Sequence, residues 1–494
     1  MLYESTRGSK FKKTSAEAII AGIAEDNGLY VPAEFPKIPW ESLLGKSYKD
    51  VARTVIDLYF NDFTQEEIDY CVDGAYDEKF SASDICEIKE AGGAYFLELY
   101  HGKTAAFKDM ALSILPYLLT TSVKKVGEKS KICILTATSG DTGKAALEGF
   151  ANVKGTEIIV FYPDGGVSEI QRQQMITQIG TNTHVFAIRG NFDDAQTGVK
   201  NIFSDEDFAA KLAEKNVKLS SANSINIGRL VPQVAYYVYS YVKLCERGIV
   251  KPGRPVNVVV PTGNFGNILA AYFAKEGGVP IGKLICASND NKVLTDFIAS
   301  GEYDIRPDTR NFTLTNSPSM DILISSNLER LLYLASERDG EKTAQWMAAL
   351  KADKKYSVND VEGLKECLAE FYGGFSTEAE TLDAIGRMWK ENSYLMDTHT
   401  GVAYKVFEDY KKETGDETPC IIASTASAYK FAEAVGSALG LEKAENGFRA
   451  IDKLAKETNV TVPEGLKNLD KKIVFHDGVV DIEEMPEAVL GALK

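Results

Sequence analysis

The sequence lacks the residues of a metal-binding or disulfide framework. Its 494 residues include only 4 histidines and 7 cysteines, and the cysteines are widely scattered, odd in number and without a CxxC pair. We therefore expect no metal site and a reducing compartment. No apolar run approaches the ~18 residues of a membrane span, and the N-terminus has no signal-peptide core. These absences predict a soluble, cytoplasmic protein that does not bind a membrane.

The sequence also has no excess of positive charge. Acidic residues outnumber basic ones by 71 to 55, which gives a formal net charge of −16. Such a chain offers no general basic surface to nucleic-acid phosphates, so we expect no nucleic-acid partner. Any anionic ligand must therefore be held by a local site. The rest of the composition, 44% hydrophobic and 26% charged, is that of an ordinary globular protein.

The spacing of apolar residues changes along the chain. Residues 1–94 have mostly helical spacing and predict a helical N-terminal domain. From residue 95, short β-rich runs such as KICILTA and VNVVVP alternate with helical segments. This alternation predicts an α/β fold with parallel sheets flanked by helices. We divide it into a small domain at 95–225 and a large domain at 226–494, with a helical insertion at about 300–395.

A glycine-rich turn follows the predicted strand VNVVVP. It consists of Gly263, Asn264, Phe265, Gly266 and Asn267, and an apolar helix comes next. Two glycines allow the backbone to turn tightly and to present several N–H groups to one anion, as a phosphate site requires. An ordinary strand-to-helix turn needs glycines as well, so both interpretations stay open from this motif alone.

A second turn, TSGDTG, follows the predicted strand KICILTA. Its small hydroxyls and free amides at a helix start suit a carboxylate or a phosphate. The alternative is that Asp141 or Thr142 only caps the helix.

Lys108 lies just inside a predicted helix, among Ala, Phe, Met and Leu residues. An apolar setting disfavours the charged form of lysine and makes the amine nucleophilic, as lysines that form Schiff bases require. The alternative is that Lys108 reaches water and pairs with Asp109 or Asp141.

The order of the three motifs resembles the tryptophan-synthase-like, fold type II family of pyridoxal-phosphate enzymes, and within it the threonine synthases. The resemblance covers nearly the whole chain, through YESTRG, HGKTAAFKDM, TATSGDTGKAA, PTGNFGNI, SPSMDILISSNLER, DTHTGVA and ASTASAYKF. It implies that Lys108 forms the Schiff base with the cofactor, pyridoxal 5′-phosphate, and moves protons on the substrate. It also implies that residues 263–267 bind the cofactor phosphate and that Thr425 faces the pyridine nitrogen.

The resemblance further implies a substrate-carboxylate site in the second turn, at Thr138, Ser139, Gly140 and Thr142. Many fold type II enzymes have Asn where this chain has Asp141, and an ionised Asp only accepts hydrogen bonds. Asp141 stays among the expected cofactor-binding residues because the longer threonine synthases resemble this chain in having SGDTG.

The reaction that the resemblance implies converts O-phospho-L-homoserine and water to L-threonine and phosphate, by γ-elimination and addition of water at the β-carbon. The second phosphate needs its own cations, and Arg7, Lys144 and Arg330 are the candidates in family-like segments. The alternatives are another lyase or dehydratase of this fold type and a non-catalytic ligand-binding paralogue. The expected state is a monomer or a homodimer.

Overall fold

The computed structural model describes residues 1–493, without the side chain of Asp193. Within this range the chain forms sixteen strands: β1 (Leu2–Ser5), β2 (Lys13–Thr14), β3 (Tyr30–Pro32), β4 (Glu87–Ala91), β5 (Ala94–Glu98), β6 (Lys131–Ala137), β7 (Thr156–Pro163), β8 (Thr183–Ile188), β9 (Val217–Ser221), β10 (Val256–Pro261), β11 (Ile281–Ser288), β12 (Glu302–Asp304), β13 (Lys355–Ser357), β14 (Phe371–Phe375), β15 (Cys420–Ser424) and β16 (Gly478–Val480).

The same range contains twenty α-helices: α1 (Ser15–Ala21), α2 (Tyr48–Tyr59), α3 (Gln65–Ala75), α4 (Asp109–Leu112), α5 (Leu115–Val126), α6 (Asp141–Phe150), α7 (Glu169–Ile176), α8 (Phe192–Ser204), α9 (Glu206–Glu214), α10 (Ile227–Glu246), α11 (Gly266–Glu276), α12 (Val293–Ser300), α13 (Leu328–Ala335), α14 (Gly340–Asp353), α15 (Glu362–Leu368), α16 (Glu378–Asn392), α17 (Thr398–Thr414), α18 (Ala432–Ala438), α19 (Gly447–Thr458) and α20 (Met485–Ala492). None of the helices within residues 1–493 is long and apolar enough to cross a membrane.

Two sheets form the body of the molecule. The large sheet has six strands in the order β14-β11-β10-β15-β5-β4, all parallel except β4, and the small sheet has five parallel strands in the order β16-β8-β7-β6-β9. Strands covered by helices on both faces bury consecutive side chains, which explains the mainly apolar sequences of β6 and β10. The predicted α/β fold with parallel sheets and flanking helices is confirmed.

Several segments belong to a different sheet from the one that the predicted domain boundaries imply. The run that begins at residue 95 forms β5 of the large sheet, although we expected it in the small domain. The C-terminal strand β16 pairs with β8 of the small sheet, whereas we expected residues 226–494 to form the large domain. The expected insertion at about 300–395 contains β14, an edge strand of the large sheet. The N-terminal region adds a three-stranded sheet, β2-β1-β3, to its helices.

The ends of three neighbouring strands position the site. Parallel strands end at the same edge of a sheet, and ligands bind at that edge. The glycine-rich turn follows β10, Thr425 follows β15, and the segment that leads to Lys108 follows β5. The second turn follows β6 of the small sheet.

Candidate active site

Lys108 is held by backbone pairing between the segments that follow β5 and β15. Phe107 N–H donates to the Thr425 carbonyl at 2.7 Å, and Ser427 N–H donates to the Ala105 carbonyl at 3.0 Å. Lys108 precedes α4, and only 8% of it is exposed. Its burial contradicts the part of the alternative in which this lysine reaches water, whereas the pairing with Asp141 is present.

The environment of Lys108 favours the neutral amine. Nζ lies 4.7 Å from the centre of the Phe107 ring and 3.8 Å from Asp141 Oδ2. Burial lowers the pKa of Lys108 to about 8, against the opposing charge of Asp141 and with a further lowering by Arg229 and Lys430. The amine is thus close to half neutral near pH 8.

This shift predicts how the amine reacts with pH. In cofactor-free protein we expect an acylating reagent to modify Lys108 with a midpoint near the pKa of about 8, because only the neutral amine attacks. The ordinary value for lysine is about 10.5. The check is peptide mass spectrometry after short exposures between pH 6 and 11. In D141N the charge that favours the ammonium form is gone, so the midpoint should move to lower pH; a midpoint that stays at the ordinary lysine value in both proteins would contradict the assignment.

Asp141 forms a buried ion pair with Lys430. Oδ1 lies 2.7 Å from Lys430 Nζ and accepts a hydrogen bond of 2.9 Å from Gln171 Nε2. Burial by itself raises the pKa of Asp141, but the charges of Lys430 and Lys108 and these hydrogen bonds outweigh it and hold the pKa well below its ordinary value. Asp141 begins α6 without capping it, so the capping alternative does not apply to this residue.

The second turn is shaped by Thr138. Its Oγ1 accepts hydrogen bonds from the N–H groups of Gly140 and Gly143, at 2.9 and 2.8 Å. Thr138, Ser139 and Thr142 line the cavity that contains Lys108. Gly140 has φ of +129°, and a Cβ there would collide with the side chain of Gln171. Gly140 is therefore required for the turn itself.

The glycine-rich turn after β10 has carbonyl oxygens that already accept hydrogen bonds, while N–H groups stay unpaired. Its carbonyls are occupied, since Ser325 Oγ donates to Gly263 O at 2.6 Å and Asn327 N–H donates to Asn264 O at 3.1 Å. The N–H groups of the first turn of α11 have no partner within the helix. A Cβ on Gly263 would lie 2.7 Å from Ser319 O, so the close approach of that loop requires glycine.

Asn267 adds a side-chain donor to this turn. Its Oδ1 accepts hydrogen bonds from the hydroxyls of Tyr236 and Tyr237, both at 2.6 Å. Its Nδ2 is buried and has no hydrogen-bond partner among the described residues. An unpaired buried donor beside free helix N–H groups suits an anion such as a phosphate.

One cavity of about 90 Å³ brings these groups together, and we call it the Lys108 cavity. Its lining contains most of the residues that the sequence predicted: Lys108, Thr138, Ser139, Asp141, Thr142, Gly263, Asn264, Phe265, Gly266, Asn267 and Thr425. The structure thus places the lysine, both turns and Thr425 at one site.

Arg229 is a residue of this cavity that the sequence reasoning missed. It lies on α10 and is 4% exposed; one guanidinium nitrogen donates to Ala222 O at 2.7 Å, and Nε has no partner within the described chain. Burial lowers the pKa of Arg229 to about 10. An arginine inside the largely apolar run IGRLVPQVAYYVY was the available signal, but such a run is equally typical of a helix that only packs in a core. Asn223, Ser224, Gln233 and His399 also line the cavity.

The structure does not bring the three expected substrate-phosphate cations into the Lys108 cavity. Arg7 forms a bidentate pair with Glu329, with both N–O distances at 2.8 Å. Arg330 is fully buried and donates to backbone carbonyls, including Tyr30 O at 2.9 Å. Lys144 pairs with Glu148 at 3.1 Å and lines a different cavity. Each is held by other protein groups, and none of the three lines the Lys108 cavity.

The arrangement is that of a pyridoxal-phosphate-dependent enzyme, and the family model described as pyridoxal-phosphate dependent enzyme matches residues 87–425. Models described as the threonine synthase N terminus and the C-terminal part of threonine synthase match residues 2–76 and 400–473. The chain belongs to the threonine synthase family.

Individual relatives agree with this placement. The threonine synthase of Saccharomyces cerevisiae is 36% identical, over 99% of this chain and 97% of that protein. The solved structure of pyridoxal-phosphate-bound threonine synthase from Brucella melitensis has a TM-score of 0.86 and 35% identity, and covers 100% of both chains. Threonine synthase-like 1 of Homo sapiens is 40% identical over 87% of this chain, but the chain spans only 58% of that relative's length.

Proposed function

We propose that this chain converts O-phospho-L-homoserine and water to L-threonine and inorganic phosphate. The observation that carries the proposal is a cavity lined by two sets of unpaired donors for anions. The turn after β10 offers Asn267 Nδ2 and helix N–H groups, and Arg229, on α10, offers an unpaired Nε. A cofactor phosphate and a phosphorylated substrate together need more than one such set of donors.

Residues 263–267 are the proposed holders of the cofactor phosphate, and Thr425 and Asp141, which line the same cavity, would be the residues beside its ring. When bound, pyridoxal phosphate supplies an electron sink for carbanions on the substrate. Phe265 has φ of +62°, a strained conformation for a residue with a side chain, and it fixes the turn that begins α11.

Lys108 is the proposed acid and base. Its pKa of about 8 lets the amine accept a proton from carbon and return it near neutral pH. Asp141, 3.8 Å away, stabilises the protonated form between the two transfers. Thr138, Ser139 and Thr142 form a polar wall that the substrate carboxylate would meet.

Arg229 is the proposed cation for the substrate phosphate. Arg229→Met should lower kcat/KM for O-phospho-L-homoserine by about 30- to 1,000-fold, because a buried charge-assisted contact is worth about 2–4 kcal/mol. Most of the loss should appear in KM, measured by phosphate release. Arg7→Met is the matched control, because Arg7 pairs with Glu329 outside the cavity. An R229M enzyme with unchanged KM would contradict the assignment.

The test of the activity itself is release of phosphate and formation of threonine from O-phospho-L-homoserine by the purified holoenzyme. Serine, threonine and O-acetylserine serve as substrates for the alternative lyases, and turnover of one of these in place of the phosphate ester would overturn the proposal. We also propose a cytoplasmic location and a monomer or homodimer. All seven cysteines are free and buried, which supports a reducing compartment.

A further inference from the structure

A second and larger cavity lies apart from the Lys108 cavity. It measures about 1,070 Å³ and is lined by parts of α5, α6 and α7 and by the loop around residues 465–475. We call it the lysine cavity. Its volume is sufficient for an organic ligand of moderate size.

The lining of this cavity is basic, in contrast to the chain as a whole. Seven lysines and two carboxylates line it, although acidic residues outnumber basic ones by 71 to 55 in the sequence. Lys103 and Lys144 share one of the carboxylates, Glu148, at 3.3 and 3.1 Å. The other, Asp109, already accepts two hydrogen bonds from Thr104. The carboxylates therefore leave positive charge uncompensated.

Lys472 provides part of that excess. It is exposed and forms no ion pair within the described part of the chain, and it lines the cavity together with Lys144. Burial lowers the pKa of Lys144 against the opposing pull of Glu148, and Lys472 adds to the lowering. An anion bound between these two lysines would stabilise both charges.

Gln174 gives the cavity an unpaired hydrogen-bond acceptor, which is a feature independent of the lysines. It lines the cavity and is only 1% exposed. Its Nε2 donates to Thr104 O at 3.4 Å, which fixes the amide orientation, while Oε1 has no partner among the described residues. A buried acceptor without a donor is costly. A ligand that satisfies it must bring a hydroxyl or an amino group.

We propose that the lysine cavity is a second binding site, for a small organic phosphate that also has hydroxyl or amino groups. A phosphate group, with a charge near −2, matches the uncompensated lysines better than a single carboxylate does. A neighbouring hydroxyl or amine supplies the donor for Gln174 Oε1. The shared chemistry includes both sugar phosphates and nucleotides.

The test is isothermal titration calorimetry of the holoenzyme with glucose 6-phosphate, ATP and pyrophosphate. We expect at least one of the two organic phosphates to bind with a Kd below about 1 mM. Lys472→Glu should weaken that binding at least tenfold. Lys351→Glu, the same charge change at an exposed position of α14, should leave it within twofold of the wild-type value. The organic phosphate that binds more tightly shows whether the site prefers a sugar phosphate or a nucleotide.

Gln174→Leu tests the donor requirement. It should weaken the organic phosphate several-fold and leave pyrophosphate, which offers no hydroxyl or amine of this kind, unchanged. The proposal is overturned if neither organic phosphate binds at 10-fold higher concentration, or if K472E binds as tightly as the wild type. Equal binding of the organic phosphate to Q174L and wild type would overturn the donor assignment. These measurements do not depend on the proposed reaction, so the two can fail separately.

Discussion

Lys108→Ala is expected to reduce turnover of O-phospho-L-homoserine by at least about 1,000-fold, because it removes the only proposed acid and base together with the nucleophilic amine. Fold stability should change little, since the buried lysine is replaced by a residue that leaves no unpaired charge. The measurement is phosphate release under saturating substrate and cofactor. Circular dichroism and thermal unfolding establish that the variant is folded.

Two comparisons separate this prediction from a general loss of structure. Lys351→Ala is the matched control, because Lys351 is an exposed lysine that lines neither cavity. Reduction of the wild-type holoenzyme with borohydride, followed by mass spectrometry, should find the cofactor on Lys108. Turnover in K108A within tenfold of the wild type, or an adduct on another side chain, would exclude the proposed role.

Lys430→Met is expected to destabilise the protein by about 3–5 kcal/mol, because it leaves the ionised Asp141 buried without its closest cation. The same change should raise the pKa of Lys108, since Lys430 lowers it in the wild type. The acylation midpoint of Lys108 should therefore move to higher pH. Denaturant unfolding and the acylation profile are two separate readouts.

The double variant D141N/K430M tests whether the loss of stability in K430M comes from the unpaired charge of Asp141. The amide that replaces the carboxylate is neutral, and Gln171 could still donate to its oxygen, so most of the lost stability should return. A double variant as unstable as K430M would show that Lys430 acts through packing and not through Asp141. Lys453→Met is a suitable control, since this exposed lysine bonds only to carbonyls.

The local parts of the site were predictable from the sequence, and the long-range parts were not. Lys108 and the two glycine-rich turns are each identified by a few adjacent residues, and strand-to-helix order predicts where they lie. Lys430 pairs with Asp141 only because β15 and β6 end near each other in the folded chain. Arg229 was missed because the apolar sequence of α10 resembles a packed helix, and apolar spacing does not show which buried residue faces a cavity.

The same distinction between local sequence and long-range contacts explains where the observed fold differs from the predicted one. Strand β14 has the sequence FYGGF, and its two glycines weaken the β signal. Strand β16 has three residues, too few for any periodicity. Its place beside β8 depends on contacts made by a distant part of the chain. The central strands, by contrast, are buried on both faces and have apolar runs long enough to be recognised.

The pair between Asp141 and Lys430 joins the two halves of the molecule. Asp141 follows a strand of the small sheet, whereas Lys430 and Lys108 follow strands of the large one. Any hinge motion that widened the cleft would part these opposite charges and admit water to the amine, whose basicity would then approach that of an ordinary lysine. The shape of the cleft and the protonation state of its base are therefore linked, and the neutral fraction of the amine is larger in the shut form than in an open one.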